Sequence, residues 1–442
     1  MTRTMHTTST GAPWMRLRLA LGASLLAFGV LGCSTDLNLT NPNSPTEEAA
    51  LTSIDGVVAT SLGMQDQFAS SILTYVRAPA LVTDEWGTAS KALAADISLF
   101  TGEGIDASYG VVSGPYYATY RVARTANAII AAVPGVPGLG AGLSAGLIAN
   151  AKLFKAMALG FAAQQYEKLP IDASVEGGVP VPRAEVFAEV IRLLESARSD
   201  IANVSDADLA GFNSRALSTG VDLRNSIDAM LARYYLITGQ YQQANDAATR
   251  VNLAKTSMLT YPDPDLNPIY NYSVVAGYVA PLKSWADQAE AGDKRVDFFV
   301  NRSATPPVGN PPTLTLLQFN MFGHRNDPFP VYLPGEMRLI RAEAQARLND
   351  LAGAIALINQ VRAQVSTANT PGASLPPVSA TTLDTPAKVL AQIAYERRYE
   401  LFSQGLRWED LRRLGSVIGK TPKVNFLPMP QGECTSNPNA GC

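Results

Sequence analysis

The sequence is poor in the residues that most often build catalytic and metal centres. It contains only two histidines and three cysteines in 442 residues. His6 precedes a predicted cleavage site, so His324 is the one histidine expected in the processed chain. A histidine-based metal site or a Ser/His/Asp triad would depend on this single residue. We therefore expect a protein that is not an enzyme and that holds no metal and no cofactor.

An excess of positive charge is also missing. The 35 lysines and arginines are outnumbered by 38 acidic residues, for a net charge of −3. Cleavage of the leader would remove Arg3, Arg16 and Arg18 and make the chain still more acidic. Nucleic-acid binding requires clustered basic side chains that neutralise phosphates. Nucleic acid is therefore excluded as the expected partner.

Long apolar runs are confined to the N-terminus. Arg16 and Arg18 precede an apolar run over 19–30, which ends at Leu31-Gly-Cys33. Such a run is too short to span a bilayer and is typical of a secretory signal. The segment Val30-Leu-Gly-Cys33 resembles a bacterial lipobox, which implies fatty acylation, palmitate included, of Cys33 after cleavage.

The lipobox divides the chain into three predicted parts. Residues 1–32 form the signal peptide, residues 33–45 a lipidated tether, and residues 46–442 a single soluble domain. The tether is rich in Asn, Pro, Ser and Thr and has no helical periodicity. Because several acyl chains anchor a protein stably, the domain is expected to sit on a membrane without spanning it.

The other two cysteines, Cys434 and Cys442, lie in a polar C-terminal tail. In an exported protein they could close a small loop as a disulfide. They could equally remain two free thiols, and the sequence leaves both possibilities open.

Apolar residues recur three or four positions apart in most of the chain, which predicts a mainly α-helical fold. Strand-like alternation is rare, and residues 255–332 lack helical spacing and predict a long, loop-rich insertion. The predicted helices cover about 46–70, 108–133, 146–167, 184–204, 220–238, 241–254, 333–348, 351–366 and 386–403.

Two segments predict helical hairpins of the tetratricopeptide type. In one, Gly239 ends a helix and Ala244 follows five residues later; in the other, Asn349 and Ala354 have the same spacing. Gly and Asn readily adopt the left-handed conformation that closes a helix, and a small Ala lets the next helix pack closely. The units are 110 residues apart, so two unrelated hairpins remain the alternative.

Arg397 interrupts the apolar stripe of the last predicted helix. It lies between Ile393 and Leu401, and a charge on a packed face is costly unless it is paired. We predict a structural ion pair with Glu343, or alternatively with Glu400. The competing interpretation is that Arg397 extends its guanidinium to solvent.

The C-terminal segment 393–415, IAYERRYELFSQGLRWEDLRRLG, closely resembles the signature of the SusD/RagB family of nutrient-binding outer-membrane lipoproteins. Similar matches occur at Leu339-Ile-Arg-Ala-Glu-Ala344, at Tyr116-Tyr-Ala-Thr-Tyr120 and at Asn425-Phe-Leu-Pro-Met-Pro430. Lys155, where Arg is usual, and Met429, where Ile is usual, depart mildly from the family pattern.

This resemblance implies a function and a location. Family members are lipid-anchored on the outer face of the outer membrane, where they capture oligosaccharides, or in some members peptides. They pass these nutrients to a SusC-like, TonB-dependent transporter barrel. The alternative is a tetratricopeptide-like lipoprotein adaptor that binds peptides or envelope proteins in a helical groove. The nutrient itself does not follow from the sequence.

Sugar binding requires exposed aromatic rings that stack on sugar C–H faces, flanked by polar groups that bond hydroxyls. Loop residues held by a rigid scaffold often provide such groups. The candidate ligand-binding residues are Arg77, Asp84, Trp86, Tyr270, Tyr272, Tyr278 and Trp285.

Overall fold

The computed structural model describes residues 50–172 and 177–442. The predicted signal peptide, Cys33 and the tether therefore lie outside the described residues. All described residues fall within one unit, residues 49–442.

Helices dominate the described chain, so the predicted mainly α-helical class is confirmed. A helix is present in each of the nine predicted segments. The helices are α1 (Ile54–Ser70), α2 (Ile72–Val82), α3 (Ala94–Thr101), α4 (Gly110–Ala132), α5 (Ala141–Gln165), α6 (Arg183–Asp200), α7 (Asp206–Arg215), α8 (Leu223–Ile237), α9 (Tyr241–Arg250), α10 (Lys283–Asp287), α11 (Arg295–Phe299), α12 (Pro334–Arg347), α13 (Leu351–Ala363), α14 (Pro386–Glu400), α15 (Arg407–Ile418) and α16 (Gln431–Ser436).

The two predicted hairpins form and stack on each other. Gly239 and Asn349 both have positive φ, at 77° and 67°, which turns the chain back after α8 and after α12. Ala244 and Ala354 are fully buried where the paired helices meet. Helix α9 packs on α12, so the two hairpins are neighbours in space despite their separation along the chain.

Helix α5 is the central helix of the N-terminal half and packs between α4 and α6. Its glycines permit close approach, because a Cβ on Gly146 would lie 2.3 Å from the Phe212 ring and one on Gly160 would lie 2.1 Å from the Tyr234 hydroxyl. By length and hydropathy α5 is the one described helix able to cross a membrane, yet 83% of its apolar window is buried inside the protein. Such burial is typical of a core helix.

The region 255–332 is more structured than its sequence suggests. It contains α10, α11, a one-turn helix (Pro268–Tyr270) and a π-helical turn (Asn271–Val275). Its strands belong to two-stranded antiparallel ladders, and one strand pairs with a segment far upstream. The ladders among the described residues are β1 (Trp86–Thr88) with β5 (Val279–Pro281), β2 (Lys168–Leu169) with β3 (Val181–Pro182), β4 (Ser257–Leu259) with β8 (Phe329–Tyr332), and β6 (Val300–Asn301) with β7 (Gln318–Phe319).

Arg397 lies inside the protein, but the predicted pairing with Glu343 is wrong. Arg397 is 3% exposed, and its Nε donates to Asp410 Oδ1 at 2.8 Å. Glu343 instead accepts two hydrogen bonds from Arg413, at 3.2 and 3.0 Å. The alternative partner, Glu400, faces Arg295 at 3.7 Å. Helix α15 packs on α14 and presents Asp410 to Arg397, whereas Arg413 reaches α12.

The C-terminal tail is closed by a disulfide between Cys434 and Cys442. Asn437 and Asn439, which lie inside this loop, donate to the carbonyl oxygens of Gly178 and Gly177 at 2.8 and 2.7 Å. The tail is thereby fastened to the segment that precedes β3.

Candidate functional site

Three of the predicted ligand-binding residues come together on one surface cluster. Arg77 on α2 and Tyr272 and Tyr278 from the 255–332 region meet around Asp96 on α3. Asp96 was missed by sequence analysis, because the short helix α3 was not predicted. Its only sequence signal is an acidic residue in the first turn of that helix.

Tyr272 is held rigidly in this cluster. Its hydroxyl donates to Asp96 Oδ2 at 2.6 Å, and Arg77 Nε donates to the other carboxylate oxygen at 2.5 Å. The Arg77 guanidinium lies over the Tyr272 ring, 4.4 Å from its centroid. Burial, with the Asp96 carboxylate nearby, raises the pKa of Tyr272 above its usual range against the opposing effect of Arg77. The ring is therefore a fixed, neutral support.

Tyr278 rests on this support and remains partly exposed. Its ring centroid lies 4.8 Å from that of Tyr272, at an interplanar angle of 52°. Such a pair fixes the orientation of the outer ring and reduces the entropy that a ligand would lose on ordering it. Tyr278 is thus the ring best placed to stack on a ligand.

Three backbone segments converge around Tyr278, and we call residues 88–93, 270–278 and 308–311 together the loop face. Ala89 N donates to the Tyr278 carbonyl at 3.0 Å, and Ser90 N donates to the Val308 carbonyl at 2.7 Å. Asn310 N donates to the Thr88 carbonyl at 2.8 Å. The exposed side chains of the loop face include Ser90, Lys91, Leu93, Asn271, Val275 and Val308. An aromatic ring bordered by apolar and hydrogen-bonding groups suits a sugar.

Two of the predicted aromatic platforms, Trp86 and Trp285, are instead part of the core. Both are fully buried. The Trp86 indole N–H donates to Ser403 Oγ at 2.7 Å, and the Trp285 ring lies 3.9 Å from Phe402. Trp86 lies on β1, which pairs with β5, and Trp285 on α10 packs against Phe402, so neither ring can contact a ligand on the surface. Their assignment as ligand-binding residues is wrong.

Asp84 and Tyr270 lie apart from the Asp96 cluster. Asp84 is exposed and adopts a positive φ of 60°, and its carboxylate pairs with Lys423 at 2.5 Å. Tyr270 is partly exposed at the end of its helical turn, two residues before Tyr272. Tyr270 therefore stays a candidate at the edge of the loop face, whereas Asp84 belongs to a different surface.

No group of three or more His, Cys, Asp or Glu side chains within residues 50–172 and 177–442 is arranged to hold a metal ion. His324 is exposed, and its Nδ1 lies 3.3 Å from Asp327. The chemistry that the loop face offers is stacking and hydrogen bonding.

Comparison with known proteins identifies the type of fold. A model of the SusD family matches residues 315–425, which include the C-terminal signature. The structure is also similar to many solved structures of the SusD superfamily. The predicted resemblance to the SusD/RagB family is therefore confirmed, and the fold is SusD-like over most of the chain.

Three of these structures illustrate the similarity. A SusD-like carbohydrate binding protein from Bacteroides vulgatus is 15% identical with a TM-score of 0.66, over 87% of this chain and 97% of that one. NanU from B. fragilis is 14% identical with a TM-score of 0.66, over 90% and 98%. A laminarin binding SusD-like protein is 18% identical with a TM-score of 0.60, over 86% and 97%. No curated protein sequence matches the chain.

Proposed function

We propose that this protein is a glycan-binding lipoprotein of the cell surface, which captures an oligosaccharide at the loop face and passes it to a SusC-like, TonB-dependent transporter. The observation that carries the proposal is the partly exposed Tyr278 ring, held on a rigid base of Tyr272, Arg77 and Asp96. The SusD-family match and the carbohydrate-binding relatives of the same fold support it.

We propose binding without catalysis. Glycoside hydrolysis generally requires two carboxylates across a substrate cleft. The three segments of the loop face contain no acidic residue, and the buried Asp96 beside them is occupied by Arg77 and Tyr272. Asp84 and Glu85 do not form a pair either, because Asp84 is exposed and Glu85 is 2% exposed.

A glycan and peptide array tests the ligand class. The probe is the chain from residue 33 onward with Cys33→Ser, so that it is produced without lipid. Binding of a glycan should then be quantified by calorimetry for Tyr278→Ala, Tyr278→Phe and the control Tyr241→Ala, which removes a tyrosine on α9. Loss of a stacking ring should cost about 1–2 kcal/mol of binding free energy, which raises Kd roughly 5–30-fold. We expect this loss for Tyr278→Ala alone.

The same array distinguishes the second candidate, a peptide-binding adaptor. The stacking of α8–α9 on α12–α13 favours it, because arrays of such hairpins form grooves that accommodate peptides. Selective peptide binding that is unaffected by Tyr278→Ala would support the adaptor and contradict the loop-face proposal.

The membrane anchor is tested at Cys33. We expect metabolic labelling with a fatty-acid analogue to mark the wild-type chain and not the Cys33→Ala variant, which should be released or remain uncleaved. Unchanged labelling of the variant would contradict lipidation at this residue. Surface display should be measured separately, by protease accessibility on intact cells.

The transporter partnership is tested by affinity purification from membranes with the tagged, lipidated chain. Recovery of a large outer-membrane barrel in stoichiometric amounts is the expected result. Recovery of the protein alone as a monomer from gently solubilised membranes would contradict the hand-off.

A further inference from the structure

A tyrosine-rich cavity is lined by residues that do not belong to the loop face. It has a volume of about 510 Å³, within the range of small-molecule sites. Its walls come from the part of α4 between Tyr116 and Arg124, from Pro170 and Asp172, from Gly177 and Gly178, and from the disulfide-closed tail. The side chains that give it its character are Tyr116, Tyr117, Tyr120, Arg124, Asp172 and Glu433.

Three aromatic rings form one wall of this cavity. The Tyr116 ring lies 5.7 Å from Tyr117, nearly perpendicular to it, and 4.7 Å from Tyr120. Tyr116 is 3% exposed, whereas Tyr117 is 41% exposed and is the only aromatic residue among the exposed large hydrophobic residues of the described chain. Tyr117 therefore offers a ring to a ligand, and Tyr116 supports it from behind.

The tail positions both the ring and a carboxylate. A Cβ on Gly432 would lie 2.3 Å from the Tyr117 hydroxyl, so that the ring edge fits closely against the tail backbone. Burial, with the Glu433 carboxylate nearby, raises the pKa of the Tyr116 hydroxyl above its usual range, and Glu433 accepts from Asn437 Nδ2 at 2.6 Å. Because Asn437 also donates to Gly178, the carboxylate, the tail and the neighbouring segment are tied together.

The disulfide holds this wall in place. Cys434 follows Glu433 directly, and its bridge to Cys442 spans eight residues. By the loop-entropy relation, closing a loop of this length stabilises the closed tail by restricting its alternative conformations. The disulfide thus preorganises a site that a frayed terminus would not maintain.

We propose that this cavity, which we call the tail site, is a second binding site for a neutral oligosaccharide, with Tyr117 as the stacking platform. The inference extends the proposed glycan binding but depends on different residues. Two carboxylates, Asp172 and Glu433, border the cavity against one guanidinium, Arg124, so an acidic sugar is disfavoured. Carboxylates and guanidinium together supply the acceptors and donors that sugar hydroxyls require.

Hydrogen–deuterium exchange on the chain with Cys33→Ser tests the tail site. The probes are malto-, laminari-, xylo- and mannohexaose, with a hexasaccharide of galacturonic acid as the acidic comparison. We expect at least one neutral hexasaccharide to slow exchange in 431–437. In Tyr117→Ala, about ten times more of this ligand should be needed to reach the same protection. Tyr117→Phe should retain it, and Tyr278→Ala should leave it unchanged.

The outcomes separate the two glycan sites. Protection of 270–279 without protection of 431–437 overturns the tail site and leaves the loop face in place. Protection of 431–437 alone supports the tail site and contradicts the loop face, whereas protection of neither region by any probe overturns both. Stronger protection of 431–437 by the acidic hexasaccharide overturns the assignment to neutral sugars.

A second variant addresses the role of the disulfide. Cys434→Ser combined with Cys442→Ser should weaken protection of 431–437 about tenfold or more while leaving protection of 270–279 unchanged. Equal protection in this variant and in the wild type would show that the bridge does not position the site.

Discussion

Removing the Arg397 guanidinium should destabilise the protein through the charges that it leaves behind. Arg397, Asp410, Arg413 and Glu343 form a chain of alternating charges, with contacts of 2.8 Å between the first two and 3.1 Å between Asp410 and Arg413. Burial acts to raise the pKa of Asp410, but Arg397 and Arg413 together lower it below the usual range. In Arg397→Met this carboxylate retains the ion pair with Arg413 and the more distant charge of Arg407.

The expected magnitude follows from this geometry. Breaking a buried ion pair from one side costs about 3–5 kcal/mol, and the remaining contact with Arg413 favours the lower end. The unfolding entropy of about 2.1 cal/mol/K per residue gives about 0.8 kcal/mol/K for a unit of this size. Arg397→Met should therefore lower Tm by roughly 4–6 °C in a thermal melt followed by circular dichroism.

A double-mutant cycle tests the pairing itself. Arg397→Met with Asp410→Asn removes both partners, so the loss should be smaller than the sum of the single losses by about 0.5–3 kcal/mol. The matched cycle of Arg397→Met with Glu343→Leu should show weaker coupling, because Glu343 contacts Arg413 instead. Zero coupling with Asp410, or stronger coupling with Glu343, would refute the pairing.

Burial raises the pKa of Glu85 to about 8, although Arg407 acts to lower it. In the unfolded chain the Glu85 carboxyl loses its proton near pH 4.5. Between this pH and about 8 the folded state binds more protons than the unfolded state, so the free energy of unfolding should fall as the pH rises through this range. Melts at pH 5, 7 and 9 should show a flatter profile for Glu85→Gln, and an unchanged profile would contradict this. Gly160→Ala should cost about 1–3 kcal/mol through overlap with Tyr234, whereas Gly63→Ala, which meets no atom within 4 Å, should stabilise by about 0.5–1 kcal/mol. Denaturant titrations check both, and equal effects of the two alanines would contradict the packing argument.

The helical scaffold could be predicted because its determinants are local. Gly239 and Asn349 mark the ends of helices by their own conformational preferences, and apolar spacing marks the helices between them. The missed helices include α3, which has only eight residues, and α2, which contains Pro79, and in both the repeating apolar pattern is short or interrupted.

The site was only partly predictable, because burial in loops depends on pairing over long sequence distances. Trp86 and Tyr278 both appear in the sequence as loop aromatics with polar neighbours. The pairing of β1 with β5 buries the first and leaves the second partly exposed, and no local pattern encodes this register. The same reasoning applies to Arg397. The sequence showed that its charge needs a carboxylate partner, but the packing of α15 on α14, which provides Asp410, could not be predicted from a local pattern.

The C-terminal signature and the loop face are coupled through the buried residues that sequence analysis placed in the ligand site. Ser403 accepts the Trp86 indole N–H, and Phe402 stacks on Trp285, so the turn between α14 and α15 supports β1 and α10. Thr88 and Ala89 follow Trp86 and Gly87 in the chain and carry the backbone bonds to Asn310 and Tyr278 that shape the loop face. The signature therefore supports the exposed segments of the loop face from the protein interior. Because Lys91 and Val308 are exposed whereas Trp86 and Trp285 are buried, substitutions at the first two positions should leave the buried support unchanged.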